Sequence, residues 1–139
     1  MNESAAQELR RFEEDWREDP LHVKPAFEAW HHFLAGLPEV ALEFKARPGI
    51  SYSLRARHAA QKTRELFVLV DVVDDEPESR WLSVCFYADM VSDPDEQGDF
   101  VPQGLLGEDA MCFNLDEDSP EMREYIAARL TEAARHAAG

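Results

Sequence analysis

The sequence has no apolar run long enough to cross a membrane, and its opening stretch MNESAAQELR has no hydrophobic signal core. A cytoplasmic location is the expectation. Positive charge is scarce: 14 Lys and Arg stand against 29 Asp and Glu, a formal charge of −15. Such a chain repels phosphate backbones and anionic lipid, so neither nucleic acid nor a membrane is expected as a partner. Cysteine is scarcer still. Cys85 and Cys112 form no Cys-x-x-Cys, which removes the zinc-ribbon and redox motifs. Both lie in apolar, strand-like runs, where cytosolic cysteines act as small buried hydrophobes. The glycines form no phosphate-binding loop, no Gly-x-Gly-x-x-Gly and no Gly-x-Ser-x-Gly elbow. No cofactor is therefore expected, and enzymatic activity is the least favoured reading.

What is present describes a folded domain. At 139 residues and 45% hydrophobic composition, the chain is the size of one domain with a proper core. Residues 1–139 read as that domain, with the helix within 1–19 the piece most able to sit at its periphery. Ser4-Ala5-Ala6-Gln7 has the form of a capping box, followed at helical spacing by Leu9, Phe12 and Trp16. The run stops near REDP, because Pro20 disfavours helical geometry in the residue before it. A second helix starts at Pro25, buries Phe27, Trp30, Leu34 and Leu37, and ends at Gly36 and Pro38.

The period then changes to two. VALEFKA and ISYSLRAR alternate around RPG, and a three-residue loop puts both apolar sets on one face, with Gly49 in the left-handed position. ELFVLVDVV is apolar on both sides except at Asp71, as in a central strand. Across the DDEPES turn, pairing Val73 with Trp81 aligns Asp71 with Ser83 and Leu69 with Cys85. SDPDEQGDFVPQGLLGEDA reads as a long polar loop, MCFNL as a last short strand. Ser119 and Pro120 open a final helix with the stripe Met122, Ile126, Leu130, Ala134 and Ala137. The fold class is α+β: two N-terminal helices, a five-stranded antiparallel meander, and a C-terminal helix packed on one sheet face.

Strand parity then sorts the candidate residues. One face collects Tyr52, Leu54, Val68, Val70, Leu82, Val84, Phe86, Phe113 and Leu115, and the helix stripes belong there. The other collects Ser53, Arg55, Phe67, Leu69, Asp71, Ser83, Cys85, Tyr87, Cys112 and Asn114. That second face is too apolar for water and too polar for a dry core. A buried Asp71 needs a partner, and Arg55 is the nearest candidate by register. Three occupants compete for this face: a helix folded over it, a second copy of the chain, or a ligand in a pocket formed by Arg55, Asp71, Ser83, Cys85, Tyr87 and Asn114.

Other chemistry is thinner. Asp93, Asp95, Gln97 and Gly98 match the first half of a calcium loop, making Asp93, Asp95 and Asp99 candidate cation ligands, but the twelfth position is Gly104. His31 and His32 are adjacent on a helix and point apart, while His22 and His58 read as surface residues in loops. Gly104–Gly107 has the spacing of an RNA-clamping Gly-x-x-Gly without the flanking positive charge. The Glu108-Asp109 pair offers an acid or base, and Cys85 a nucleophile only if its thiolate is stabilised.

A helix ending in FLAGLPEV, then SYSLRA and LFVLVDV, then a C-terminal helix, resembles the small bacterial YjbR/MmcQ-like domains. The resemblance runs from about Pro25 to the end, and Leu37-Pro38 with Val40 is its motif-like part. It implies the helix-sheet-helix layout of the frataxin-like fold. The Gly-Lys that such domains often carry before the third strand is replaced by KTRE, so no activity comes with the likeness. The leading functional expectation is a non-enzymatic interaction domain, self-associating or bound to a protein partner. The alternative is a small-molecule or cation binder using the mixed face or the acidic loop 91–110.

Overall fold

The computed structural model describes residues 3–139. Two helices, α1 (Glu3–Asp15) and α2 (Lys24–Ala35), precede β1 (Val40–Arg47), β2 (Ser51–His58), β3 (Val68–Val73) and β4 (Trp81–Tyr87). A single 3-10 turn (Ala88–Met90) leads to β5 (Asp99–Leu105), β6 (Glu108–Leu115) and α3 (Pro120–Ala138). The sheet is antiparallel and six-stranded, in the order β1-β2-β3-β4-β6-β5. No helix among the described residues is long and apolar enough to cross a membrane.

The fold class is α+β, with one strand more than the five expected. The extra strand is β5, within the segment read as an irregular loop, and the last strand starts at Glu108 rather than Met111. Leu106 and Gly107, both at positive φ, make a two-residue turn between Leu105 and Glu108. A left-handed pair of this kind suits a tight hairpin. β5 thus folds back onto the outer edge of β6, and β6 is the strand that reaches β4, so the meander is broken at that point.

Parity holds throughout. Phe44 pairs with Leu54 and Ala46 with Tyr52, rather than with the Tyr52 and Ile50 that a loop of Arg47, Pro48 and Gly49 would set opposite them, but the shared face is kept. The loop residues are Pro48, Gly49 and Ile50, with Gly49 at φ +85°. Ile50 belongs to the turn and is exposed, not part of the core. The β3–β4 register is as expected, with Leu69 opposite Cys85 and Asp71 opposite Ser83. The helix face buries Leu54, Val70, Val84, Phe86, Phe113 and Leu115 against Phe27, Leu34, Ile126 and Leu130. Ser4 lies inside α1, so it is not that helix's N-cap. Ser119 does cap α3, accepting from the Met122 N–H.

One buried ionic contact closes the end of the sheet where the β1–β2 and β3–β4 turns lie. Asp74 is buried and receives the Arg80 Nε at 2.6 Å and the Gly49 N–H at 2.7 Å, joining the β1–β2 and β3–β4 turns. The Arg80 guanidinium lies over the rings of Phe12, Trp16 and Tyr52, which ties α1 to the same corner. Just before β5, Gly98 passes close to the core. A Cβ there would stand 2.7 Å from Phe113 Cε1 and 3.0 Å from Met111 Sδ. Gly98→Ala is expected to cost about 2 kcal/mol through overpacking, read as a lower urea midpoint with an unchanged slope.

Candidate functional site

All three helices pack on the face that carries Phe44, Leu54 and Val84, and no described helix covers the other. The helix-folded-over reading of the mixed face is therefore corrected. The reason is the apolar stripe on α1: Leu9 and Phe12 are buried, and Phe12 stacks on Tyr52 at 4.2 Å between ring centres. That contact commits α1 to the helix side.

The open face is organised in rows across the strands. One row runs Lys45, Ser53, Asp71, Ser83 and Asn114 from β1 to β6. The next runs Glu43, Arg55, Leu69, Cys85, Cys112 and Asp99 from β1 to β5. Val73 and Trp81, opposite each other and half-buried, continue the apolar strip at one end. Five of the six expected pocket residues lie in these two rows: Arg55, Asp71, Ser83, Cys85 and Asn114.

Tyr87 does not join them. It is buried beneath Arg64, whose guanidinium lies 4.2 Å from the ring centre. Arg64 in turn forms ion pairs with Asp89 at 2.8 Å and Glu108 at 2.9 Å. Burial, followed by the Glu108 charge, raises the Tyr87 pKa. Tyr87 is thus sealed by the β2–β3 connection, a long-range contact with no local signature.

Asp71 differs from expectation in its partner. Directly opposite it stand Ser53 and Ser83, while Arg55 faces Leu69 and donates from Nε to Ser53 Oγ at 3.2 Å. Asp71 Oδ1 is buried and has no hydrogen-bond partner. Burial lifts the Asp71 pKa above the ordinary carboxylate value, opposed by a Ser53 hydrogen bond and the charges of Arg55 and Arg47.

The cysteines also depart from expectation. Cys85 and Cys112 are direct neighbours across β4 and β6, with Cα atoms 4.2 Å apart, and they form a disulfide. They are half-buried, not core hydrophobes, and Cys85 has no free thiol to act as a nucleophile. Ser83 Oγ lies 3.7 Å from Cys85 Sγ.

The acidic loop serves its own folding. Asp93 Oδ1 accepts from the Gln97 N–H and the Tyr125 hydroxyl, and Oδ2 accepts from the Gly98 N–H. Burial pushes the Asp93 pKa up, but these donors outweigh it and hold the carboxyl below its usual value. Asp99 is on β5 opposite Cys112, and no group of three acids, histidines or cysteines among the described residues is arranged to hold a metal ion. Asp109 accepts from the Gln103 N–H, whereas Glu108 pairs with Arg64, so the two acids are engaged separately. His58 ends β2, is buried and takes the Ala60 N–H on Nδ1, so it is not a surface loop residue.

One signal in the sequence was missed. Residues 45–64 contain no Asp or Glu, yet hold Lys45, Arg47, Arg55, Arg57, Lys62 and Arg64. Parity places the first four of these on the open face. In a chain of net charge −15, that concentrates positive charge at the β1–β2 end of the face.

The unpartnered Asp71 oxygen gives a pH-dependent prediction. A raised carboxyl pKa means that the folded chain keeps the proton to higher pH than the unfolded chain. Stability is therefore lost as pH rises through the folded value. Asp71→Asn is expected to raise the thermal midpoint by about 3 °C at neutral pH. The gain should vanish below the unfolded carboxyl value, at about pH 3. Paired melting curves at the two pH values check it, and an equal gain at both would refute the cause given.

In comparisons with known proteins, the chain matches no family model, no curated protein and no solved structure.

Proposed function

We propose that the domain is a non-enzymatic interaction module that pairs through its open sheet face with a second copy of itself. The observation that carries this reading is the distribution of charge on that face. Lys45, Arg47, Arg55 and Arg57, with the acid Glu43 among them, lie at the β1–β2 end, and Asp99 lies at the β5–β6 end beside the Glu108–Arg64 pair. A twofold axis parallel to the strands sets β1–β2 of one copy over β6–β5 of the other. The two ends are then complementary, and the contact is self-matching, as an isologous dimer requires. Between them the half-buried Trp81, Val73 and the disulfide supply the apolar centre. Half-exposed tryptophan is a residue type that concentrates binding energy at such centres.

A second reading rests on Asp71. Its unpaired oxygen, with Ser83 opposite Asp71 and Asn114 on the strand beyond, suits a small ligand that brings a hydrogen-bond donor. A donor of that kind is an ammonium, amide N–H or hydroxyl group.

Charge reversal separates the two. Arg47→Glu and Asp99→Lys are each expected to weaken self-association about tenfold or more, and the double variant to recover most of it. Raising the salt concentration should weaken the wild type as well. Sedimentation velocity over a concentration series reads all four chains. A wild type that keeps the mass of one copy at every concentration sinks the dimer and leaves the ligand reading.

A further inference from the structure

We propose that Cys85 and Cys112 form a reversible dithiol–disulfide couple that exchanges with external thiols while the sheet stays folded. The inference concerns the free chain and does not rest on the dimer reading. A second copy on the face would only shield the bridge.

Three observations lead to it. First, the bridge links strands that are already neighbours. β4 and β6 are paired from Leu82–Leu115 to Tyr87–Ala110, so opening the bridge leaves the strands joined by their own ladder. Its stabilising effect falls on the unfolded chain, where it closes a separation of 27 residues. Second, the bridge is half-exposed on the face that no described helix covers. A thiol can therefore reach it without first displacing an element. Third, its two sulfurs differ. Cys85 Sγ has the Ser83 hydroxyl at 3.7 Å, whereas Cys112 has an acid, Asp99, as its cross-strand partner in the register. A hydroxyl donor stabilises a thiolate, and a neighbouring negative charge opposes one.

This asymmetry sets the order of events. The thiolate of an incoming dithiol forms a bond to Cys112 Sγ, and the Cys85–Cys112 bond breaks. The electron pair leaves on Cys85, where Ser83 donates to it. The second sulfur of the dithiol then attacks the first. The reductant departs as its own disulfide, Cys112 is released, and the two protons of the dithiol end on the two cysteines. The reductant is oxidised by two electrons and the protein reduced by two. The substrate class is a small or protein-borne dithiol with both sulfurs within reach of one face. A monothiol such as glutathione forms the mixed disulfide, which re-closes by attack of Cys85 with loss of the thiol unless a second monothiol attacks the first and leaves with it as a disulfide.

The experiment exposes native protein to dithiothreitol and, separately, to glutathione. Maleimide labelling is read by intact mass, and circular dichroism follows the fold. After dithiothreitol both cysteines are expected to label together without loss of the folded signal, and unlabelled protein to close again on addition of oxidised dithiothreitol. Peptide mapping should find glutathione on Cys112. Ser83→Ala should slow opening about fivefold, and Ser83→Thr should restore the rate. Running Arg47→Glu beside the wild type separates shielding from inertness. If the monomeric variant opens and the wild type resists, the bridge is reactive and the dimer covers it. Labelling that appears in both only as the fold is lost overturns the couple, as does a chain whose cysteines stay reduced in oxidised dithiothreitol. Glutathione found on Cys85 overturns the assigned direction of attack.

Discussion

A single layer of helices on a six-stranded sheet is the constraint on which the rest of this molecule depends. The three amphipathic helices each have one apolar stripe, and every stripe is spent on the same side of the sheet. Once Phe12 stacks on Tyr52 and Leu130 enters the core, no helical surface is left to cover the other side. The strands therefore show two chemistries. Apart from His58, the even-numbered residues of β1 to β4 are aliphatic and aromatic, while the odd-numbered ones mix charged residues, serines, Leu69, Trp81 and the disulfide-bonded Cys85. An antiparallel sheet tolerates this because alternate side chains leave on opposite faces.

Charge is used differently at the edges and in the middle. At the sheet ends, arginines are spent on structure. Arg80 neutralises the buried Asp74 and covers three aromatic rings, and Arg64 holds two carboxylates over Tyr87. In both places the guanidinium combines hydrogen bonding with stacking, which a lysine ammonium does less well. On the open face the arginines are hardly engaged. Arg55 reaches only Ser53, and Arg57 makes a long, exposed contact with Glu43 at 3.7 Å. Exposed pairs of that kind contribute little stability. Their clustering in an acidic chain is not explained by folding.

The fold was legible where alternation and burial coincide. From Ser51 through Tyr87 each strand has an apolar face, and a one-residue slip would have exposed it, so the β3–β4 register could be read directly. β5 gave no such signal. Asp99–Leu105 is exposed along nearly its whole length and contains Pro102 and Gly104. An edge strand with little to bury has the composition of a loop. Parity placed Cys85 and Cys112 on the same face, but pairing them required the β4–β6 register. That register depended on a hairpin whose left-handed Leu106 is atypical. The Asp71–Arg55 pairing failed for a related reason. The diagonal neighbour had the complementary charge, while the residues directly opposite were serines.

The open face brings together features that folding alone would remove. A carboxylate oxygen without a partner, a half-exposed tryptophan and an accessible disulfide each carry a cost or a risk in an isolated domain. Each could be relieved by one substitution to a small polar or aliphatic residue, with no change to the helix side. All three instead share one surface, with loosely engaged cations concentrated at one end of it and Asp99 at the other. Local instability tends to be tolerated where another molecule completes the environment. The helix side is a finished core, and the unfinished chemistry is confined to the side that the helices leave open.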